Sequence, residues 1–367
     1  MSADPALLER ASEIVAQFDI DGAATAVQPH AGGHIHDSFL VTAAGRRWIV
    51  QRFNTRVFAE PAHVMENIAA VSGHLARLLR REGAADIERR VMSAVPARDG
   101  GWLARDAGGD HWRALAYVEG TTSTAIAVDA AAAGAAAHAF GRFQRQLAEY
   151  VGPPLHTTIP HFHDTPRRYA AFAAAVRTDT QQRARDAAPE IAFAEAHRAT
   201  ALLLTDAQHR GDLREAIAHH DAKISNVLFD HLSGEALCVV DLDTVMPGLT
   251  HYDFGDLVRS MASAAAEDDP DPSRAAAEPE RLSAIVRGYL AGAGDTVTAA
   301  ERRLLPAAAK VITLEQGIRF LMDHLEGDRY YGADHPGHNL ERCRTQFALL
   351  ASLEELSSEF ARMVETA

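Results

Sequence analysis

Apolar residues Leu7, Leu8, Ala11, Ile14, Val15 and Phe18 recur at helical spacing, which predicts a short amphipathic helix over residues 6–18. Residues 30–41 and 48–53 read as two strands joined by a tight turn at Ala44-Gly45-Arg46-Arg47, with a glycine-containing segment at their start. Pro61 opens a helix to about residue 81, with Val64, Ile68, Val71, Leu75 and Leu78 on one face. A further strand pair is expected over 91–103 and 111–118, punctuated by Asp99-Gly100-Gly101 and Gly108-Gly109. After Glu119-Gly120-Thr121-Thr122 the pattern turns to long alanine-rich segments, and the domain boundary is placed there, giving 1–119 and 120–367. Residues 125–150, 169–205 and 311–325 read as helices, the first two on alanine propensity that blurs the amphipathic face. Asp, Pro and Ala crowd together over 267–280 in an expected exposed loop, and no internal repeat is visible.

At 367 residues the chain has material for two domains of about 100–200 residues each. The net charge of −14 argues against a generic phosphate-backbone binder, so no nucleic acid partner is expected. Cys238 and Cys343 form no Cys-x-x-Cys pair, which removes zinc ribbons and disulfide scaffolds. Residues 1–10 carry acids and no apolar stretch, and no run of about 18 apolar residues occurs anywhere. A cytoplasmic protein with no membrane partner, monomeric or homodimeric, is the expectation.

Of the 36 lysines and arginines all but two are arginine, Lys223 and Lys310 being the only lysines. Neither follows a glycine, so the P-loop signature is excluded.

The most informative stretch is His219-His220-Asp221-Ala222-Lys223-Ile224-Ser225-Asn226-Val227-Leu228-Phe229, followed fifteen residues after Asn226 by Asp241 in Val239-Val240-Asp241-Leu242-Asp243. A polar loop ends in Asn226, a short strand follows, residues 230–234 turn the chain, and a second strand delivers Asp241. Phosphoryl transfer from ATP needs a carboxylate for the attacking hydroxyl, oxygen ligands for Mg²⁺, and a cation near the transferring phosphate. Asp221, Asn226 with Asp241, and Lys223 fill these roles in that order. Asp and Asn also cluster in turns for local hydrogen bonding alone. The joint pattern, with both strands and Asp241 in register, is much harder to obtain by accident.

This pattern resembles the aminoglycoside phosphotransferase and choline kinase group of small-molecule kinases, and within it the N-acetylhexosamine 1-kinases. The resemblance is carried by Gly33-His34-Ile35-His36-Asp37-Ser38, Ile49-Val50-Gln51-Arg52-Phe53-Asn54 and Met65-Glu66-Asn67-Ile68. It continues through Thr158-Ile159-Pro160-His161-Phe162-His163, the 221–226 loop, and Asp241-Leu242-Asp243-Thr244-Val245-Met246-Pro247-Gly248. Tyr252-Asp253-Phe254-Gly255-Asp256 and Gln316-Gly317-Ile318-Arg319-Phe320-Leu321 complete it, in order along nearly the whole chain. It implies an α+β, bilobal protein-kinase-like fold with a small β-rich N-terminal lobe and a larger, mainly helical C-terminal lobe.

The implied activity is ATP- and Mg²⁺-dependent phosphorylation of the anomeric hydroxyl of N-acetylglucosamine or N-acetylgalactosamine. Asp221 would be the catalytic base, Lys223 the neighbouring cation, and Asn226 and Asp241 the Mg²⁺ ligands, with Asp243 helping to hold the metal or its water. Asp253 of Asp-Phe-Gly falls after Asp241 and reads as a brace for the catalytic loop. No lysine precedes Lys223, so Arg52, paired with Glu66, is expected on the phosphate side, with Gly32-Gly33 as the phosphate cover. Adenine is expected on the backbone of the connector, residues 117–120. His34, Asp221, Lys223, Arg319 and Tyr330 are the sugar-site candidates. His161-x-His163 and His335-x-x-His338 fall short of metal sites and read as turn or packing histidines. Other readings are a kinase of the same fold acting on an aminoglycoside, choline or homoserine, and a nucleotide-binding pseudokinase scaffold.

Overall fold

The computed structural model describes residues 4–30 and 35–367. In chain order come α1 (Pro5–Ile14), β1 (Ala24–Pro29), β2 (Asp37–Ala43), β3 (Arg46–Arg52), α2 (Pro61–Arg81), α3 (Ile87–Arg90), β4 (Ala94–Val95), β5 (Ala104–Arg105), β6 (His111–Ala116) and β7 (Thr121–Thr122). There follow α4 (Ala130–Ala148), α5 (Thr165–Thr178), α6 (Ala188–Ala196), α7 (Leu203–His209), β8 (Ala216–Ala218), β9 (Val227–Asp230), β10 (Ala236–Val239) and β11 (Met246–Gly248). The chain ends in α8 (Thr250–Met261), α9 (Pro279–Ala293), α10 (Ala299–Arg303), α11 (Leu305–Glu326), α12 (His338–Glu355) and α13 (Ser357–Thr366).

Two compact units result. The first is Met1–Thr122 with Glu149–Pro160 and Leu228–Pro247, and the second is Ser123–Ala148, His161–Val227 and Gly248–Ala367. The expected single break at 119/120 lacks the two later returns to the first unit.

The first unit is built on an antiparallel sheet of order β1-β2-β3-β6-β4, with β5 also pairing β6. Phe39, Val41, Val50, Trp112 and Ala114 share one face and bury against Ala11, Ile14, Val15 and Phe18 of the opening helical segment. Strand alternation then sends Ser38, Gln51 and Arg113, which lie opposite one another in register, to the other face. The edge strand β1 was not expected from the sequence; its mostly exposed residues and terminal proline hide the alternation.

The second unit is helical. The expected continuous helix over 169–205 is instead α5, α6, a 3₁₀ turn at Thr200–Leu202 and α7. Asp179 in the left-handed region ends α5, and Pro189 opens α6, so breakers overrule alanine propensity. Small residues have a packing purpose in α4 and α9. A Cβ on Gly288 would lie 2.1 Å from the Gly134 carbonyl oxygen, and one on Gly141 would lie 2.3 Å from that of Tyr289, so the two helices touch backbone to backbone. α11 runs through the interior, burying Leu314, Ile318 and Leu321 among residues of α5, α6 and α12. Within 267–280, Asp269, Ala275 and Ala277 are buried, so that segment is less exposed than its composition suggests. Among the described residues no helix is long and apolar enough to cross a membrane.

Candidate active site

In the second unit the turn after β8 is fixed from below by Asp253, on the first turn of α8. Its buried carboxylate accepts the backbone N–H of His219 on Oδ2 at 2.9 Å and that of His220 on Oδ1 at 2.7 Å. Gln144 Nε2 donates to Oδ2 at 2.7 Å, and the Tyr289 hydroxyl in turn donates to Gln144 Oε1 at 2.6 Å. Burial pushes the Asp253 carboxyl up from its ordinary value. His220 is left-handed (φ 67°), and a Cβ on Gly248 would strike its ring at 2.3 Å.

This strained residue presents Asp221, whose side chain stays 30% exposed. Lys223 Nζ lies 2.9 Å from Asp221 Oδ2. Asn226 Nδ2 donates to the same oxygen at 2.9 Å and to the Asp221 carbonyl at 2.8 Å. Burial pushes this carboxyl up, but the Lys223 ammonium, with His219 and the Asn226 amide, outweighs it and holds the group below its ordinary value. The result is a partly exposed carboxylate with a cation on one oxygen.

Arg319, on α11, stands 5.3 Å from the Phe162 ring and 5.5 Å from the Tyr331 ring. Burial pulls its guanidinium down, and Tyr331, Glu315 and Tyr330 together leave it raised. Tyr331 packs 4.6 Å from Phe320, whereas Tyr330 is 57% exposed, so the two adjacent tyrosines differ in availability. Lys310 donates to Ser357 Oγ at 2.6 Å.

In the first unit, Asp241 follows β10 in the left-handed region (φ 62°) and opens a 3₁₀ turn, Leu242–Thr244. Asp243, expected to help hold the metal or its water, is engaged by protein donors. Its buried carboxylate binds Arg113 through both terminal nitrogens, Nη2 to Oδ2 at 2.8 Å, and His36 Nε2 lies 2.7 Å from Oδ2. Burial raises this carboxyl; Arg113 and His36 overcome that and hold it far below its usual range. Both oxygens therefore already accept from cationic or N–H donors.

Arg113 Nε donates to Gln51 Oε1 at 2.8 Å, and Gln51 Nε2 to Ser38 Oγ at 2.8 Å. Thr158 Oγ1 donates to the Asp243 carbonyl at 2.9 Å, and Asn67 Nδ2 to those of Val245 at 3.0 Å and His156 at 2.8 Å. The turn after Asp241 is thus tied to β6, to α2 and to residues 156–158.

The expected Arg52–Glu66 pair is not formed. Arg52 lies on the Trp112 face of the sheet, opposite to Gln51 and Arg113, and binds Asp37 at 2.7 Å and Asp110 at 3.1 Å. Glu66 is exposed and lies 2.7 Å from His156 Nε2. Gly32, Gly33 and His34 lie outside the described residues. In the connector, the carbonyls of Glu119 and Gly120 accept from Arg89, and the Tyr117 N–H donates to the Arg47 carbonyl. Among the described residues no group of three His, Cys, Asp or Glu side chains gathers as a metal site.

Sequence reading gave no individual role to Arg113, Gln51, His36 or Gln144. Arg113 carried a signal: it stands between Trp112 and Ala114 in a strand otherwise apolar enough to be buried.

The model of the phosphotransferase enzyme family matches residues 26–294 of this chain. Among solved structures, an aminoglycoside phosphotransferase from Alicyclobacillus acidocaldarius is similar at TM-score 0.61 and 17% identity, over 97% of this chain and 96% of that one. A microcompartment-associated aminopropanol kinase is similar at TM-score 0.57 and 18% identity, over 96% and 98%. The amicoumacin kinase hAmiN, solved with AMP-PNP and Ca²⁺, is similar at TM-score 0.59 and 13% identity, over 94% and 93%. At these identities the likeness establishes the fold.

Proposed function

This chain belongs to the phosphotransferase enzyme family, and we propose that it transfers the γ-phosphoryl group of ATP to the anomeric C1 hydroxyl of an N-acetylhexosamine, giving the sugar 1-phosphate. The observation that carries the chemistry is Asp221, an ionised, partly exposed carboxylate with Lys223 on one oxygen and Asn226 on the same edge. Asp221 orients the acceptor hydroxyl and takes its proton, while Lys223 offsets negative charge as the oxygen–phosphorus bond to the acceptor forms and the bond from the γ-phosphorus to the departing ADP breaks.

The donor chemistry fits a hard divalent cation. Asn226 carries an amide oxygen and Asp241 a carboxylate, both donors of the kind a hard divalent cation takes. By the resemblance in sequence each is a candidate Mg²⁺ ligand, and Mg²⁺ when bound neutralises phosphate charge.

The sugar assignment rests on sequence: Gln51-Arg52-Phe53-Asn54 and the 241–248 stretch resemble those of the N-acetylhexosamine branch. Arg319 among Phe162, Tyr331 and Tyr330 favours the same choice, because a fixed guanidinium suits a neutral, hydroxyl-rich acceptor better than a cationic amino alcohol or aminoglycoside.

The deciding experiment is a panel of free hexoses, N-acetylhexosamines, their methyl glycosides, choline and an aminoglycoside with Mg²⁺-ATP, read by ³¹P NMR. Phosphate on C1 of N-acetylglucosamine or N-acetylgalactosamine, with no turnover of the methyl glycosides, is the expected result. Turnover of a methyl glycoside or of choline removes the anomeric reading. Nucleotide binding without transfer to any acceptor would make the chain a scaffold.

A further inference from the structure

His163 belongs to a motif with no place yet in the chemistry above. It is buried, as is Glu315 on α11, and His163 Nδ1 lies 2.9 Å from Glu315 Oε1. On the other side of the ring, Nε2 lies 3.1 Å from the carbonyl oxygen of His220, the residue immediately before Asp221. The ring also stacks on that of His220, at 5.4 Å between centroids and 13° between planes.

Both polar partners can only accept. The His220 carbonyl carries no proton, and Glu315 is a carboxylate: Thr165 Oγ1 donates to its Oε2 at 2.6 Å and Arg168 Nε lies 3.4 Å from its Oε1. Both contacts are hydrogen bonds together only when both ring nitrogens carry protons. The charged and titratable groups around the ring are Glu315 and Arg319 from α11, Arg168 and Asp164 from the start of α5, Tyr252 from α8, and His220 itself. In this setting Glu315 supplies the balancing negative charge.

We propose that His163 is a positioning residue: doubly protonated between Glu315 and the His220 carbonyl, it ties the helix that carries Arg319 to the turn that presents Asp221. Arg319 is one helical turn beyond Glu315, and Asp221 is one residue beyond His220, so the tie sets the acceptor-side arginine and the base in fixed relation. The inference rests on the roles of Asp221 and Arg319 given above.

Two readouts test it. NMR of ¹⁵N-histidine-labelled protein at pH 7, with His163 assigned by its loss in His163→Phe, is expected to show protons on both ring nitrogens. Kinetically, His163→Phe keeps the stacked ring and loses both hydrogen bonds. It should lower kcat for N-acetylglucosamine by about 10- to 100-fold, the cost of a misplaced reacting group, with less than twofold change in the Kd for Mg²⁺-AMP-PNP. If that variant does not fold, Glu315→Gln keeps the shape and removes the balancing charge; the ring should then lose a proton and kcat should fall in the same direction. A bare nitrogen on His163 in the wild-type chain, or kcat within twofold in the folded variant, overturns the inference. Failure of the wild-type chain to phosphorylate N-acetylglucosamine overturns the acceptor reading alone, and the NMR result then decides this one.

Discussion

Arg113 and Asp243 form a two-pronged ion pair within the first unit, their side chains 3% and 4% exposed, where the sequence pointed to a metal ligand and to no cation at all. A buried carboxylate that loses its guanidinium keeps only His36, and breaking such a pair on one side costs about 3–5 kcal/mol. Arg113→Met should therefore destabilise the chain by about 3 kcal/mol in urea unfolding. Arg113→Met with Asp243→Leu should recover most of that, because no charge is left stranded. A single substitution that costs under about 1 kcal/mol would mean that water reaches Asp243.

Arg52 is the opposite case. Its partners Asp37 and Asp110 have side chains 45% and 44% exposed, and it lies on the Trp112 face of the sheet. Exposed pairs contribute about 0–1 kcal/mol. Arg52→Ala and Glu66→Ala should each leave the KM for ATP within about twofold, while a tenfold rise for either would restore the phosphate-side role read from the strand motif.

What the sequence showed and hid follows from range. Asp221, Lys223 and Asn226 lie within six residues, and one local turn sets their mutual contacts, so spacing sufficed to expect them side by side. Pro61–Arg81 was legible because proline and a clean apolar stripe mark it. The Arg113–Asp243 contact joins residues 130 apart, and whether β3 turns Gln51 or Arg52 toward it depends on a register that no local pattern sets. The alanine-rich segments concealed their ends for a different reason: when nearly every position is apolar or small, no face stands out.

The same small residues make a steric prediction. Alanine is normally the better helix former by about 1 kcal/mol. At Gly288 the added Cβ would sit 2.1 Å from a backbone oxygen of α4, which cannot move aside as a side chain can. Gly288→Ala should lower Tm and cost more than about 1–3 kcal/mol, the usual penalty of overpacking. At Gly73 the nearest atom is Arg77 Nη1 at 3.4 Å, so Gly73→Ala should be neutral or stabilising. Equal effects at the two sites would contradict the backbone contact between α4 and α9.

Acid sensitivity should trace in part to Glu315. Burial raises its carboxyl, but His163, followed by Arg168 and Arg319, lowers it from the ordinary value of 4.5 to about 2. A carboxyl depressed on folding contributes stability that is complete above about pH 4.5 and lost as pH falls toward 2. Stability of the wild-type chain should fall through this window, and Glu315→Gln, less stable at neutral pH, should show a shallower slope there. An unchanged slope in the variant would mean that other carboxylates account for the acid transition.

Lys223 allows the sharpest test of the catalytic assignment, because Lys310 is the only other lysine and all the rest of the 36 lysines and arginines are arginine. If arginine had replaced lysine wherever the exchange is tolerated, a surviving lysine marks a place where it is not. Lys223 Nζ meets Asp221 Oδ2 at 2.9 Å, with 38% of its side chain still exposed. A compact ammonium can keep that contact and still turn toward incoming phosphate; a planar guanidinium is longer and would fork over the carboxylate that must receive a proton. Lys223→Arg should therefore bind Mg²⁺-ATP with near-normal affinity and lose about 10²–10³ in kcat, the range for removing one aligned electrostatic contact. Asp221→Asn should lose about 10²–10⁴, as for any general base. Near wild-type turnover in the arginine variant would reduce Lys223 to a surface partner of Asp221, and near wild-type turnover in Asp221→Asn would remove the base itself.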